Sequence, residues 1–338
     1  MSEVLWDEIP LRRLSDYRTD WERLNRSASP ILSIDFFLIS IRYFDRENVR
    51  CMMARDRSTQ QIIAITLVSI TGWGIGRTYQ PSQAPIGCWL QAPEVSTKAL
   101  ITALMPKLSA WPLGFSITQQ DPNVSVINGI ESNETLPYIT IGHVPCIGTF
   151  EEYWASRGKN LRQNTNKSAN RMAKEGYELA VKRITKADQM PEAVTRYATL
   201  EAQSWKADGA TAVAPDNDQG QFYIDLLSDY AGREQAMVFE LWANDELIVS
   251  ELCILNDEEL IILKTTYNEA FQRFSPASIL RKQQFEYIFD QTDLKRVEFY
   301  GKMMDWHYRW TDITREMVHI NLFSKTGQLL KRVKGYLG

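Results

Sequence analysis

Residues 260–280 read LIILKTTYNEAFQRFSPASIL. The first eight, Leu260–Tyr267, form an apolar run of strand length. Downstream, RKQQFEYIF from Arg281 to Phe289 has helical spacing. Between the two stand Arg273, Ser275, Pro276, Ala277 and Ser278. Ser275 suits a helix N-cap and Pro276 suits the first helical position. Ala277 and Ser278 are small enough to let a bulky anion approach the first helical amides, which have no partner inside the helix. The helix dipole favours negative charge there by ~0.3–1 kcal/mol at exposed positions. Arg273 adds a charge-assisted bond. The segment therefore reads as strand, anion-binding turn and helix; a merely well-capped helix is the competing reading.

Two more strand-like runs lie upstream, AMVFELWA (236–243) and ELIVSELCIL (246–255). They are joined at Asn244-Asp245, and the second meets Leu260–Tyr267 through Asn256-Asp257, short polar turns that favour antiparallel hairpins. After the helix come strand patterns at KRVEFY (295–300) and EMVHINLF (316–323). The order is three strands, a loop, a helix and a strand. Before it, Thr149 and Glu152 form a capping-box pattern. A basic helix follows, KNLRQNTNKSANRMAKEG (159–176), ending at Gly176, a suitable C′ residue. Its cations belong either to a solvated face or to a site for an acidic group. YELAVKRI reads as a strand, and helices are expected from Pro191 to about Trp205 and over QFYIDLLSDYAG.

The first half repeats the order. NVRCMMAR, QIIAITLVSI and PIGCWL read as strands, VSTKALITALMPKL as a helix and GFSITQ as a further strand. GWGIGR (72–77) reads as a flexible loop, because no helix can open in the TYQPSQAP that follows. The stretch before the first-half helix, QAPEVSTK, has an acidic residue where a phosphate would sit, so an anionic cofactor belongs to the second half. A duplicated α+β unit is expected, divided into residues 1–149 and 150–338, with mixed, mainly antiparallel sheets.

The 338 residues suffice for two domains, and 44% hydrophobic with 24% charged is an ordinary globular mix. A net charge of −4 offers no general attraction to DNA or anionic membrane. Cys51, Cys88, Cys146 and Cys253 have no metal-binding or framework spacing, so buried thiols are expected. His143, His307 and His319 do not combine with them into a metal site. No apolar run reaches the ~20 residues of a membrane span, and the acidic start MSEVLWDEIP lacks a signal-like core. A cytoplasmic protein without membrane insertion is expected.

Four stretches together carry a family resemblance: KNLRQNTNKSANRMAKEG, LEAQSWK (200–206), LKTTYNEAFQRFSPASIL and YGKMMDWHYRWTD (300–312). In order and spacing, over roughly residues 150–325, they resemble GNAT-like acyltransferases of the CelD type, related to FemABX peptidyltransferases. The first half is similar more loosely, as a degenerate GNAT-like domain. The resemblance implies two tandem GNAT-like halves. It also implies transfer of an acetyl or longer acyl group from acyl-CoA to an amine or hydroxyl, without a metal. The acceptor would be a small metabolite, a sugar or a cell-envelope (glycan) precursor.

The same resemblance assigns residues. Lys264 and Thr265 on the strand edge, with Arg273, Ser275, Pro276, Ala277 and Ser278 in the turn, would hold the acyl-CoA. Trp205, Lys206 and Asp305 would line the acceptor pocket. His307 would serve as general base, with Glu201 the alternative base; an imidazole of ordinary pKa ~6.5 is partly neutral at pH 7. The competing reading makes Trp205 and Trp310 core aromatics and lets His307 cap a turn. Two departures from the family stand out: Ala277 replaces a glycine, and His307 replaces a lysine three residues before Trp310. They leave open a non-catalytic binding or assembly protein. An aminoacyl-tRNA-dependent transferase of FemABX type is the other alternative, disfavoured by the lack of sustained heptads for a coiled-coil arm.

Overall fold

The computed structural model describes residues 4–44, 48–71, 74–203 and 212–336. In chain order the elements are β1 (Val4–Ile9), α1 (Arg18–Leu24), α2 (Ile34–Phe44), β2 (Arg50–Asp56), β3 (Ile62–Thr71), β4 (Ile75–Thr78), β5 (Trp89–Gln91), α3 (Thr97–Leu108), β6 (Gly114–Gln120) and β7 (Thr135–Pro145). They continue with α4 (Phe150–Ser156), α5 (Lys159–Lys174), β8 (Leu179–Ile184), α6 (Met190–Glu201), α7 (Asp218–Ala231), β9 (Ala236–Ala243), β10 (Glu246–Leu255), β11 (Glu259–Tyr267), α8 (Pro276–Gln291), β12 (Arg296–Phe299), β13 (Thr314–Phe323) and α9 (Lys325–Tyr336). The chain forms two compact units, one of residues 1–140 with 315–338, the other of residues 141–314.

In the first unit the strand order is β1-β2-β3-β4-β6-β13, with β5 beside β3. Neighbours are antiparallel except β4 and β6, which run parallel. In the second unit the order is β8-β9-β10-β11-β12-β7, and again one pair, β11 with β12, is parallel. Each unit thus has a meander of three strands, a helix, and a strand parallel to the third. The fold is the expected α+β class.

The division differs from the expected split at 149/150, and the reason is strand exchange along the sequence. The last residues of β7 pair with β12, although β7 follows the first-unit strands in sequence. Strand β13 follows β12 in sequence yet pairs with β6. The terminal segment is anchored in the first unit, where the Ser324 amide donates to the Leu113 carbonyl.

Local chemistry explains the second unit closely. Thr149 and Glu152 make the reciprocal capping box that opens α4. Helix α5 ends in a Schellman motif: Gly176 has φ +88°, the Tyr177 amide donates to the Met172 carbonyl and the Gly176 amide to that of Ala173. The β9–β10 hairpin turns on Asn244, whose φ of 55° suits a two-residue turn. Strands β9 and β10 are buried nearly throughout, with α6 and α7 against one side and α8 against β9, β10 and β11. That is why they read as continuous apolar runs rather than alternating ones.

Several expectations change. Ile75, Gly76 and Arg77 of the expected GWGIGR loop belong to strand β4, and only Trp89 and Leu90 of the PIGCWL segment lie in strand β5. The helix expected to reach Trp205 runs to Glu201. Strands β1 and β7 and helices α1, α2 and α9 were not anticipated. Of the four cysteines, which are free thiols, three are buried and Cys146 is partly so.

Candidate functional site

Strands β11 and β12 run side by side for four residues and then part. Their last pair is Ile262 with Phe299, while β11 continues to Tyr267. The parting coincides with a bulge: Leu252 of β10 pairs with Lys264 and Cys253 with Ile262, which leaves Leu263 as an extra residue. A bulge bends its strand and increases the local twist. From Leu263 onward the β11 edge therefore has no β12 partner.

The chain leaves β11 through a 3-10 turn over Glu269–Phe274 and enters α8 at Ser275. Ser275 occupies the N-cap position as expected, but with φ 49° and ψ 54°, and its side chain makes no capping hydrogen bond. The expected capping role is thus corrected. Pro276 is the first helical residue and is buried, and Ala277 packs partly against the core. The Ala277 amide has no carbonyl four residues back within the helix.

A cavity of about 530 Å³ lies here, wholly within the second unit. Ser275 and Ser278 line it from the start of α8, and Gly158, Asn160 and Leu161 from the start of α5. Both helices are 16 residues long, and neither has a side-chain N-cap. By contrast α3, α4 and α7 are capped by Ser96, Thr149 and Asn217. Ser156, Arg157, Tyr308, Arg309 and Asp312 line it as well. Arg157 is engaged, donating to the Trp310 carbonyl and to Asp312; Arg309 is exposed. Helix N-termini without side-chain caps favour an anion, and the Arg157–Asp312 ion pair shares the same lining.

Residues 159–308 match the family profile "Acetyltransferase (GNAT) domain". Over that stretch the chain is similar to GNAT domains. Among solved structures, FemX aligns over 97% of this chain and 99% of its own, at 8% identity and a TM-score of 0.60. The C-terminal domain of a putative lysylphosphatidylglycerol synthetase from Agrobacterium fabrum aligns over 95% of both chains, at 11% identity and 0.57. A tandem GNAT protein from the clavulanic acid biosynthesis pathway aligns over 95% of this chain and 98% of its own, at 10% identity and 0.50. At such identities the likeness concerns the fold. No curated protein matches the sequence.

Within the second unit the expected site residues fall into distinct groups. Ser275 and Ser278 meet at the cavity. Arg273 does not line it: its guanidinium pairs with Glu175 at 2.6 Å and lies 4.5 Å from the Phe274 ring centroid. Lys264 and Thr265 are successive strand residues and point to opposite faces. Thr265 faces α8, where its hydroxyl donates to Glu251 at 3.2 Å.

Both candidate bases have their acceptor atoms engaged, and neither lines the cavity. His307 is buried, and its Nδ1 accepts the Met304 amide at 2.9 Å. That bond places the proton of the neutral ring on Nε2, which makes it a donor. Burial foremost, and the Arg281 charge next, push its pKa down to about 4. In place of the free acceptor nitrogen expected of a general base, the imidazole here holds a turn through Nδ1. Glu201 is buried, with Oε1 accepting from the Tyr197 hydroxyl at 2.8 Å and Oε2 from the Val213 amide at 2.7 Å. It ties the end of α6 to the chain beyond. Asp305 is exposed, Trp310 is a core residue at 2% exposure, and Trp205 and Lys206 lie outside the described residues.

Sequence reasoning missed Arg281 and Gln284. Both are buried on the inward face of α8, with Leu280, Phe285 and Ile288. The signal was present, since two polar residues interrupt an apolar stripe at helical spacing. Among the described residues no group of three or more His, Cys, Asp and Glu side chains is placed to hold a metal ion, and no helix is long and apolar enough to cross a membrane.

Proposed function

We propose that the second unit is an acyltransferase that takes its acyl group from an acyl-CoA and passes it to an amine or hydroxyl of a small metabolite, sugar or cell-envelope precursor. One observation carries this reading: the N-termini of α5 and α8, neither with a side-chain cap, line the same cavity, and α8 follows the strand β11 that runs past its last pairing with β12. The cofactor diphosphate would lie against the Ala277 amide and the hydroxyls of Ser275 and Ser278. Its pantetheine arm would run along β11 beyond Ile262, where a strand amide can meet the thioester carbonyl. Acyl transfer needs that alignment, donors for the developing oxyanion, and an acceptor for the proton. With His307 and Glu201 engaged structurally, water is the simplest proton carrier.

The first unit supports the choice of the second. The N-terminus of its helix α3 is closed by the chain itself. Ser96 Oγ accepts the Ala99 amide, and the Thr97 amide donates to the Asn128 carbonyl at 2.9 Å. The test is calorimetric titration with CoA and acetyl-CoA of the native protein and of Ala277→Glu, which adds bulk and negative charge at the turn. We expect binding by the native protein, a loss of about tenfold or more in the variant, and an unchanged circular dichroism spectrum. Equal affinity in the two proteins removes the turn from the site.

A second reading draws on the exposed cations of α5, Lys159, Lys167 and Lys174, which suit a donor carried on RNA, as in an aminoacyl-tRNA-dependent transferase. Its mark is affinity for tRNA that falls steeply with salt, together with indifference to CoA.

A further inference from the structure

Beneath α8 lies a polar cluster that the proposed diphosphate site does not use. Glu251 on β10 stands opposite Thr265 on β11 and is ion-paired through Oε1 with Nη2 of Arg281. Glu251 and Gln284 are 0% exposed and Arg281 is 2%. The cluster is incompletely satisfied: among the described residues Glu251 Oε2, Arg281 Nε and Nη1, and Gln284 Oε1 have no hydrogen-bond partner. Buried polar atoms are almost always partnered, so four orphans in one place call for a ligand or for water.

Their position narrows the choice. Thr265 lies three residues beyond the last β11–β12 pair, and the Arg281 guanidinium lies 5.2 Å from the ring centroid of Phe299, the β12 member of that pair. The other ring near the guanidinium, at 5.0 Å, is Trp306, which is 43% exposed and belongs to a loop. The cluster therefore borders the gap opened where β12 leaves β11.

We infer that this cluster reads the acyl group of the donor and selects one that carries a neutral hydroxyl near the thioester. The inference rests on the acyl-CoA reading above. Arg281 and Glu251 cancel each other's charge. A carboxylated acyl group would bring an unbalanced charge into a buried place, and a plain alkyl chain would leave the four atoms orphaned. A hydroxyl both accepts and donates. It accepts from Arg281 and donates its one proton to Glu251 Oε2, which leaves Gln284 Oε1 to a water. Sites built to hydrogen-bond a hydroxyl discriminate strongly against the analogue that lacks it.

The test is calorimetric titration of the full chain with free CoA, butyryl-CoA, 3-hydroxybutyryl-CoA and succinyl-CoA. The 3-hydroxybutyryl thioester is expected to bind about tenfold or more tighter than the other two thioesters. In Glu251→Gln, which keeps the shape but makes one terminal atom a donor, that ratio is expected to fall below about threefold. Should this variant not fold, the ranking in the native protein decides alone. Equal affinity for hydroxylated and plain chains, in a protein that binds free CoA, overturns the inference and assigns the cluster to water. No binding of free CoA overturns the acyl-CoA reading, and this inference with it.

Discussion

A neutral imidazole stacked on Trp306, with the Arg281 charge beside it, has little tendency to take a proton. For His307 the consequence can be stated with its sign. Its folded pKa of about 4 lies below the ordinary 6.5. Above pH 6.5 neither the folded nor the unfolded chain holds this proton, and the stabilisation is complete. As the pH falls from 6.5 toward 4 the unfolded chain binds a proton that the folded chain refuses, and stability declines; below 4 the loss stops. The expected loss is about 1–3 kcal/mol. His307→Gln keeps an acceptor for the Met304 amide and removes the titration. Urea unfolding across that window should show a flatter curve for the variant, and equal slopes would mean that another group titrates. Residues of the turn were legible where their neighbours are local, as with Ser278. Arg273 was not, because its partner Glu175 is 98 residues away and only the folded chain brings them together.

Helix α8 carries both kinds of element chemistry, a start that lines a cavity through Ser275 and Ser278 and a buried face with a charge pair in it. Removing one member of a buried pair leaves the other uncompensated, at a cost of about 3–5 kcal/mol, whereas an apolar replacement of both is often neutral or stabilising. Arg281→Ala is therefore expected to lose roughly that amount in equilibrium denaturation. Arg281→Met combined with Glu251→Leu should recover most of it. A single variant no weaker than a typical surface substitution would contradict the pairing. The meander β9-β10-β11 and the helix after it were readable, because Asn244 and Asn256 punctuate long apolar runs. Strand β4 was not, since it has four residues and sits next to Gly72 and Gly74 in a segment whose composition signals a loop. The bulge at Leu263, which sets the gap between β11 and β12, has no sequence mark, because it depends on how β10 registers against β11.

At the scale of the molecule the boundary of the units was the least legible feature. Contacts divide the chain near residues 140 and 315, and both cuts follow from pairings between strands far apart in sequence. A fragment of residues 141–314 retains every strand of its unit and should melt cooperatively by circular dichroism. A fragment of residues 150–338 lacks the β7 residues that cover β12 and carries β13 without β6, so we expect a broad transition and aggregation from open edges. Equal, sharp melting of the two would refute the division. The same arrangement nests one unit inside the other, and this sets the order in which they are finished during synthesis. All strands of the second unit have been made by β12, while β6 waits for β13 until roughly 200 residues after its own completion, on the order of 10–40 s at ribosomal speed. The part of the chain made first is completed last. A premature stop near the end would thus spare the late-made second unit and leave the early-made unit open at one edge.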